Sequence, residues 1–175
     1  MTYFELYQEA FSLQINTAQL KRKYYELSRQ YHPDHVSLAD ADAQEAAMKM
    51  STQINEAWKT LSDVDLRLKY ILTLKNIIAE AEEFKLSNNF LMQMMDVNES
   101  IADAKLQGNA TMLNSIHVQI EELKVQLKQS IQWALAVADL HHLSESEANS
   151  LKQYYYQSKY LRRLQQQLQD KAPEM

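Results

Sequence analysis

The chain has 175 residues and a formal net charge of −5, with one glycine, two prolines and no cysteine. So little glycine and proline leaves almost no material for hairpins, and the dominance of Leu, Ala, Gln, Glu, Lys and Met predicts an all-α protein. The missing cysteines exclude disulfides, thiolate nucleophiles and Cys-based zinc or iron–sulfur sites, and the acidic balance argues against nucleic acid as a partner.

An apolar content of 46% suits one sizeable domain or two small ones. The opening residues show no basic region followed by an apolar run, and no stretch of roughly 18 apolar residues occurs, so a soluble, cytoplasmic protein without a membrane partner is expected. Residues 3–11 carry Phe4, Leu6, Tyr7, Ala10 and Phe11, the pattern of a short helix with one buried side. Asn16 then caps a helix, with Gln19 as capping-box partner, and Leu20, Tyr24, Leu27 and Tyr31 line its core face. Off that stripe lie Lys21, Arg22, Lys23 and Arg29. This basic run reads either as a solvated face or as a docking surface.

Pro33 ends the helix near Tyr31, because proline cannot donate the helical hydrogen bond and pushes His32 out of the helical region. His32 and Asp34 are thereby placed on an exposed corner. A small polar stretch over 36–42 follows, in which Asp40 or Asp42 can cap the third helix. In that helix Ala46, Ala47, Met50, Ile54, Ala57, Trp58 and Leu61 recur with helical period. Ser62-Asp63 breaks the run before a short fourth helix over 65–74. The expected result is a helical hairpin with short flanking helices, packed as a domain over 1–74.

Residues 75–89 read as a linker, with Glu80, Glu82 and Glu83 clustered, Ile77, Ile78 and Phe84 able to pack, and Ser87-Asn88-Asn89 as break and cap. From residue 90 the helical pattern has two faces. Phe90, Met94, Val97 and Ile101 form a core stripe, while Leu91, Met92 and Met95 fall on the other side with Asp96, Glu99 and Asp103. The second set either packs inside the protein or forms a Met/Leu patch with an acidic rim. After Gly108-Asn109, the spacing of Ile116, Ile120, Leu123, Leu127, Ile131, Leu135 and Ala138 predicts a core helix continuous for most of 111–143. Ser144 with Glu147 makes a capping box for the last helix, lined by Leu151, Tyr154, Ser158, Leu161 and Leu168. An antiparallel three-helix bundle over 90–171 is expected. His141 and His142 are adjacent, hence divergent on a helix, and read as helix-end residues rather than a metal pair.

A basic helix ending in Tyr31-His32-Pro33-Asp34, followed by Ile54-Asn55-Glu56-Ala57-Trp58 with Leu61, Asp63, Arg67 and Tyr70, resembles a J domain, the module that activates Hsp70-class ATPase chaperones. The resemblance implies that His32, Pro33 and Asp34 stimulate the partner's ATPase and that Lys21, Arg22, Lys23 and Arg29 supply its docking face. His35 stands where the family commonly has Lys. With the opening Tyr3-Phe4-Glu5-Leu6 and with Phe90-Leu91-Met92 leading a small bundle, nearly the whole chain resembles the HscB family, the co-chaperones of iron–sulfur cluster assembly. That resemblance implies a chaperone partner (HscA) and a client, the scaffold protein IscU. The client would be held by Leu91, Met92, Met95, Asp96, Glu99, Asp103 and Tyr160, with Asp96 where the family usually has Glu. A monomeric adaptor with no catalytic residue, cofactor or metal is expected. Two rival readings are a J protein for another client or a purely structural helical protein, and an enzyme using His32 as general base oriented by Asp34. The enzyme reading lacks a nucleophile, a phosphate loop or a ligand cluster.

Overall fold

The structure, a computed structural model, describes residues 1–35, 41–79 and 84–170. The polar stretch over 36–40 with its Asp40 cap, the Glu80/Glu82/Glu83 cluster and the last residue of the expected bundle lie outside the described residues. Among the described residues the chain is all-α: α1 (Tyr3–Tyr7), α2 (Thr17–Gln30), a 3-10 turn at Pro33–His35, α3 (Ala41–Ser62), α4 (Val64–Leu74), α5 (Asn88–Leu106), α6 (Ala110–Gln129), α7 (Gln132–Ala136) and α8 (Glu145–Gln169). They form two compact units. The first takes Met1–Asn76 together with Ala134–His142, and the second takes Ile77–Trp133 with the chain from Leu143 on.

Local sequence sets the ends of most helices. Asn16 accepts from the N–H groups of Ala18 and Gln19, Asp63 from those of Asp65 and Leu66, and Ser87 from that of Phe90. Thr2 with Glu5 and Ser144 with Glu147 form complete capping boxes, and the hydrogen bonds to each cap hold both glutamates below the usual carboxylate range. In α2 the Asn16 cap is made without the reciprocal Gln19 bond.

In the first unit α2 and α3 form the hairpin, tied by Tyr24 Oη donating to Asn55 Oδ1 at 2.9 Å and by the Tyr24 ring lying 5.1 Å from that of Trp58. Leu20, Ile54, Ala57 and Leu61 are buried between these helices and their neighbours α1 and α4, whereas Ala46 of the expected stripe is exposed. Each fully buried Leu or Ile contributes roughly 1.5–3 kcal/mol over an exposed one. Tyr7 is fully buried, its hydroxyl donating to the Ile54 carbonyl at 2.9 Å, and burial pushes its phenol pKa up. Tyr3 stacks on Tyr70 at 4.5 Å, and its N–H donates to the Tyr70 hydroxyl.

The expected core helix over 111–143 is the main departure. Helix α6 stops at Gln129, where the Ser130 hydroxyl and N–H both bond to the Leu127 carbonyl and Ile131 N–H turns to Lys128 in a tighter 3-10 step. Beyond the short α7 the backbone finds partners far away in sequence. Ser12 Oγ donates to Val137 O at 2.7 Å, Leu140 N–H donates to Phe11 O at 2.8 Å, and Lys75 Nζ donates to His141 O at 2.6 Å. Leu140 is fully buried in the first unit. A buried backbone must satisfy its polar groups, and here tertiary partners replace helical ones. His141 therefore sits in a loop, its ring 4.5 Å from Phe11 and its Nδ1 2.5 Å from Asp139 Oδ1. His142 is exposed in the same loop.

The second unit is a three-helix bundle of α5, α6 and α8. Met94, Val97, Ile101 and Ala104 of α5 pack with Ile116 and Ile120 of α6 and with Leu161 and Leu164 of α8. Gly108 ends α5 at φ +60, with Asn109 N–H on Ala104 O and Gly108 N–H on Lys105 O, the two bonds of a Schellman cap.

Candidate functional site

The two surfaces singled out in the sequence lie one in each unit. In the first, α2 ends at Gln30, Tyr31 N–H closes on the Leu27 carbonyl, and Pro33 starts the 3-10 turn. Pro33 is half-buried, while the side chains of His32 and Asp34 are 53% and 86% exposed, so the turn offers both to solvent. Asp34 N–H donates to His32 Nδ1 at 3.2 Å, so the ring nitrogen facing the turn is an acceptor. The Asp34 carboxylate is 3.6 Å from that nitrogen, beyond a direct hydrogen bond. An imidazole oriented as a general base would have Nδ1–H donating to the carboxylate. The bond instead fixes the shape of the turn.

Of the four α2 cations, Lys21, Arg22 and Arg29 are exposed, and none of them is ion-paired among the described residues. Lys23 is placed differently. Its Nζ donates to Tyr7 O at 2.6 Å and to Gln8 O at 3.0 Å and pairs with Glu9 at 3.2 Å, clamping the end of α1. Three residues after Leu20 and four before Leu27, it lies beside the core stripe at about 100° per residue, a signal available in the sequence. Tyr25, 52% exposed and with Lys21 Nζ 6.0 Å from its ring centre, was not singled out by pattern and shares the face with Lys21, Arg22 and Arg29. An exposed aromatic among cations is interface composition. Lys23→Met is accordingly expected to lower the melting temperature, whereas Arg22→Glu, at an exposed position, should leave it near that of the parent; thermal melts of the two variants read this directly.

On α5 the alternatives left open by the sequence are separated by exposure. Met92 is 66% and Met95 57% exposed, so neither belongs to a core, while Leu91 is half-buried. Asp96, Glu99 and Asp103 are exposed around them. Tyr160 of α8 is half-buried, with its ring edge-on to Phe90 at 6.0 Å. The only cation of α5, Lys105, turns away, its Nζ donating to the Gln167 and Asp170 carbonyls at the end of α8. The face is thus apolar at its centre and acidic at its rim.

Comparison with known proteins separates the two surfaces in the same way, although residues 134–142, which the structure groups with the first unit, fall within the second match. Residues 11–70 match the family model described as DnaJ domain, and residues 86–169 match the one described as HSCB C-terminal oligomerisation domain. The chain is 35% identical over 133 residues to the co-chaperone protein HscB homolog of Neisseria gonorrhoeae, a match covering 73% of this chain and 80% of that protein. The chain belongs to the HscB co-chaperone family. Another HscB homolog, from Psychromonas ingrahamii, is 30% identical over 160 residues, covering 91% of this chain and 92% of the relative. The same fold occurs in human HscB, with a TM-score of 0.81 at 24% identity over 96% of this chain and 80% of that one. Vibrio cholerae HscB gives 0.75 at 22% identity over 96% and 95%. The HscB relatives are named co-chaperones, and this chain carries a DnaJ domain followed by an HscB C-terminal domain. No helix among the described residues is long and apolar enough to cross a membrane.

Proposed function

We propose that this HscB-family protein is a two-ended adaptor with no covalent chemistry of its own. Its α5 face holds the iron–sulfur scaffold IscU, and its His32-Pro33-Asp34 turn, with Lys21, Arg22 and Arg29, activates the ATPase of an Hsp70-class chaperone (HscA) in the cytoplasm. Tethering the scaffold raises its local concentration at the chaperone and couples its capture to ATP hydrolysis. Both surfaces belong to one chain, so a monomer suffices. The observation that carries the reading is the Met92/Met95 patch, exposed in full view of solvent and ringed by Asp96, Glu99 and Asp103. An apolar centre with a charged rim is the anatomy of a recognition surface, in which the centre sets affinity and the rim sets on-rate. His32 and Asp34 being bonded into a turn supports signalling by shape over acid–base chemistry.

Calorimetric titration against the scaffold tests this. Truncating Leu91 and Met95 together to Ala should cost about 1–3 kcal/mol per residue at a hot spot, so the affinity falls at least about tenfold. Unchanged affinity would remove the α5 face as the client site.

A further inference from the structure

We infer that Leu106, at the far end of α5, is a second apolar contact for the client, so that the binding face runs the length of the helix rather than ending at Asp103. This deepens the α5 reading and rests on it. Leu106 is 84% exposed, more than any other large apolar side chain among the described residues. It is not scattered at random. Met95 and Leu106 are eleven positions apart, which at about 100° per residue places them roughly 20° apart around the helix and about 16 Å apart along it. Glu99 lies between them on the same face, with Asp103 at its edge.

The local structure gives Leu106 no other task. The cap at Gly108 is closed by backbone bonds from Asn109 to Ala104 and from Gly108 to Lys105, and the position that usually supplies the hydrophobic contact of such a cap is Asn109. The neighbouring Lys105 is drawn to the carbonyls at the end of α8, which leaves the acids between the two apolar points without a cation from α5 itself. A partner fitting this face carries two apolar contacts about 16 Å apart with Lys or Arg between them. The spacing gives orientation, because a single apolar centre fixes position and a second fixes the axis.

The test uses the full chain and calorimetry against the scaffold, with Leu106→Gln, Leu106→Met and the Leu91→Ala/Met95→Ala double variant. Leu106→Gln is expected to bind about tenfold more weakly at an unchanged melting temperature, and Leu106→Met to bind within about twofold of the parent. If Leu106→Gln binds like the parent while the double variant is impaired, the extension fails and the α5 site stands. If neither variant is impaired, the α5 site itself fails. Impairment by Leu106→Gln alone would contradict a continuous face.

Discussion

Replacing His32 with Gln is expected to bring stimulation of the chaperone's ATPase down at least about tenfold, to near its basal rate, without unfolding the chain. A tenfold change corresponds to about 1.4 kcal/mol, about the value of one hydrogen bond that organises the turn. In the structure that bond runs from Asp34 N–H to His32 Nδ1. Gln reaches the position of the distal ring nitrogen but has no acceptor at the position of Nδ1, so the turn loses its internal tie. Asn is the useful contrast, since its amide oxygen falls near Nδ1 and keeps the tie while losing the distal nitrogen. His32→Asn should therefore retain more stimulation than His32→Gln. Full stimulation by His32→Gln would mean that the turn is not the signal. The side chain is half exposed, so neither variant should lower the melting temperature by more than about 5 °C.

Replacing Arg67 with Met is expected to cost about 2–4 kcal/mol of stability, or roughly 5–15 °C in melting temperature. Arg67 is only 5% exposed, with Nη1 donating to the Leu61 carbonyl at the end of α3 and Nη2 to Leu13 O at 2.7 Å. Met fills much of the volume but leaves both buried carbonyls unpaired, and losing a charged hydrogen bond costs about 1.5–3 kcal/mol each. Relief of desolvation offsets part of this. Burial depresses the Arg67 pKa, with Asp63 and Glu9 opposing, and its Nε has no partner. The Leu13 carbonyl lies in the connection that also holds the Ser12–Val137 bond, so the loss should loosen the attachment of the 134–142 segment to the first unit. Urea melts decide the point. An unchanged midpoint would show that the desolvation of the guanidinium cancels its bonds.

Local chemistry made much of this architecture legible from sequence. Asn16, Asp63, Ser87 and Ser144 cap helices because each side-chain oxygen serves N–H groups within three residues, and such signals need no tertiary information. The two-sided pattern of α5 was readable for the same reason, but whether Met92 and Met95 pack or face solvent was not, because periodicity does not say what lies against a helix face; their exposure in the structure decides it. The course of the chain after Ser130 was not readable. Ile131, Leu135 and Ala138 continue the spacing of the helix before them, while from Val137 to His141 the backbone is held by Phe11, Ser12 and Lys75, more than sixty residues away. Lys23 was legible in part: its place beside the Leu20/Leu27 stripe follows from helical spacing, whereas the Tyr7 and Gln8 carbonyls that its ammonium reaches do not. Leu106 carried no signal of its own, since a single exposed apolar residue at a helix end is ordinary surface composition.

The most direct test of the adaptor is steady-state ATP hydrolysis by the Hsp70-class chaperone with this chain, with the scaffold, and with both. The two together should exceed the product of their separate effects. The Leu91→Ala/Met95→Ala variant should keep the stimulation given by the chain alone and lose the excess, because tethering rather than activation has been removed. An excess as large with the double variant as with the parent would contradict the adaptor mechanism.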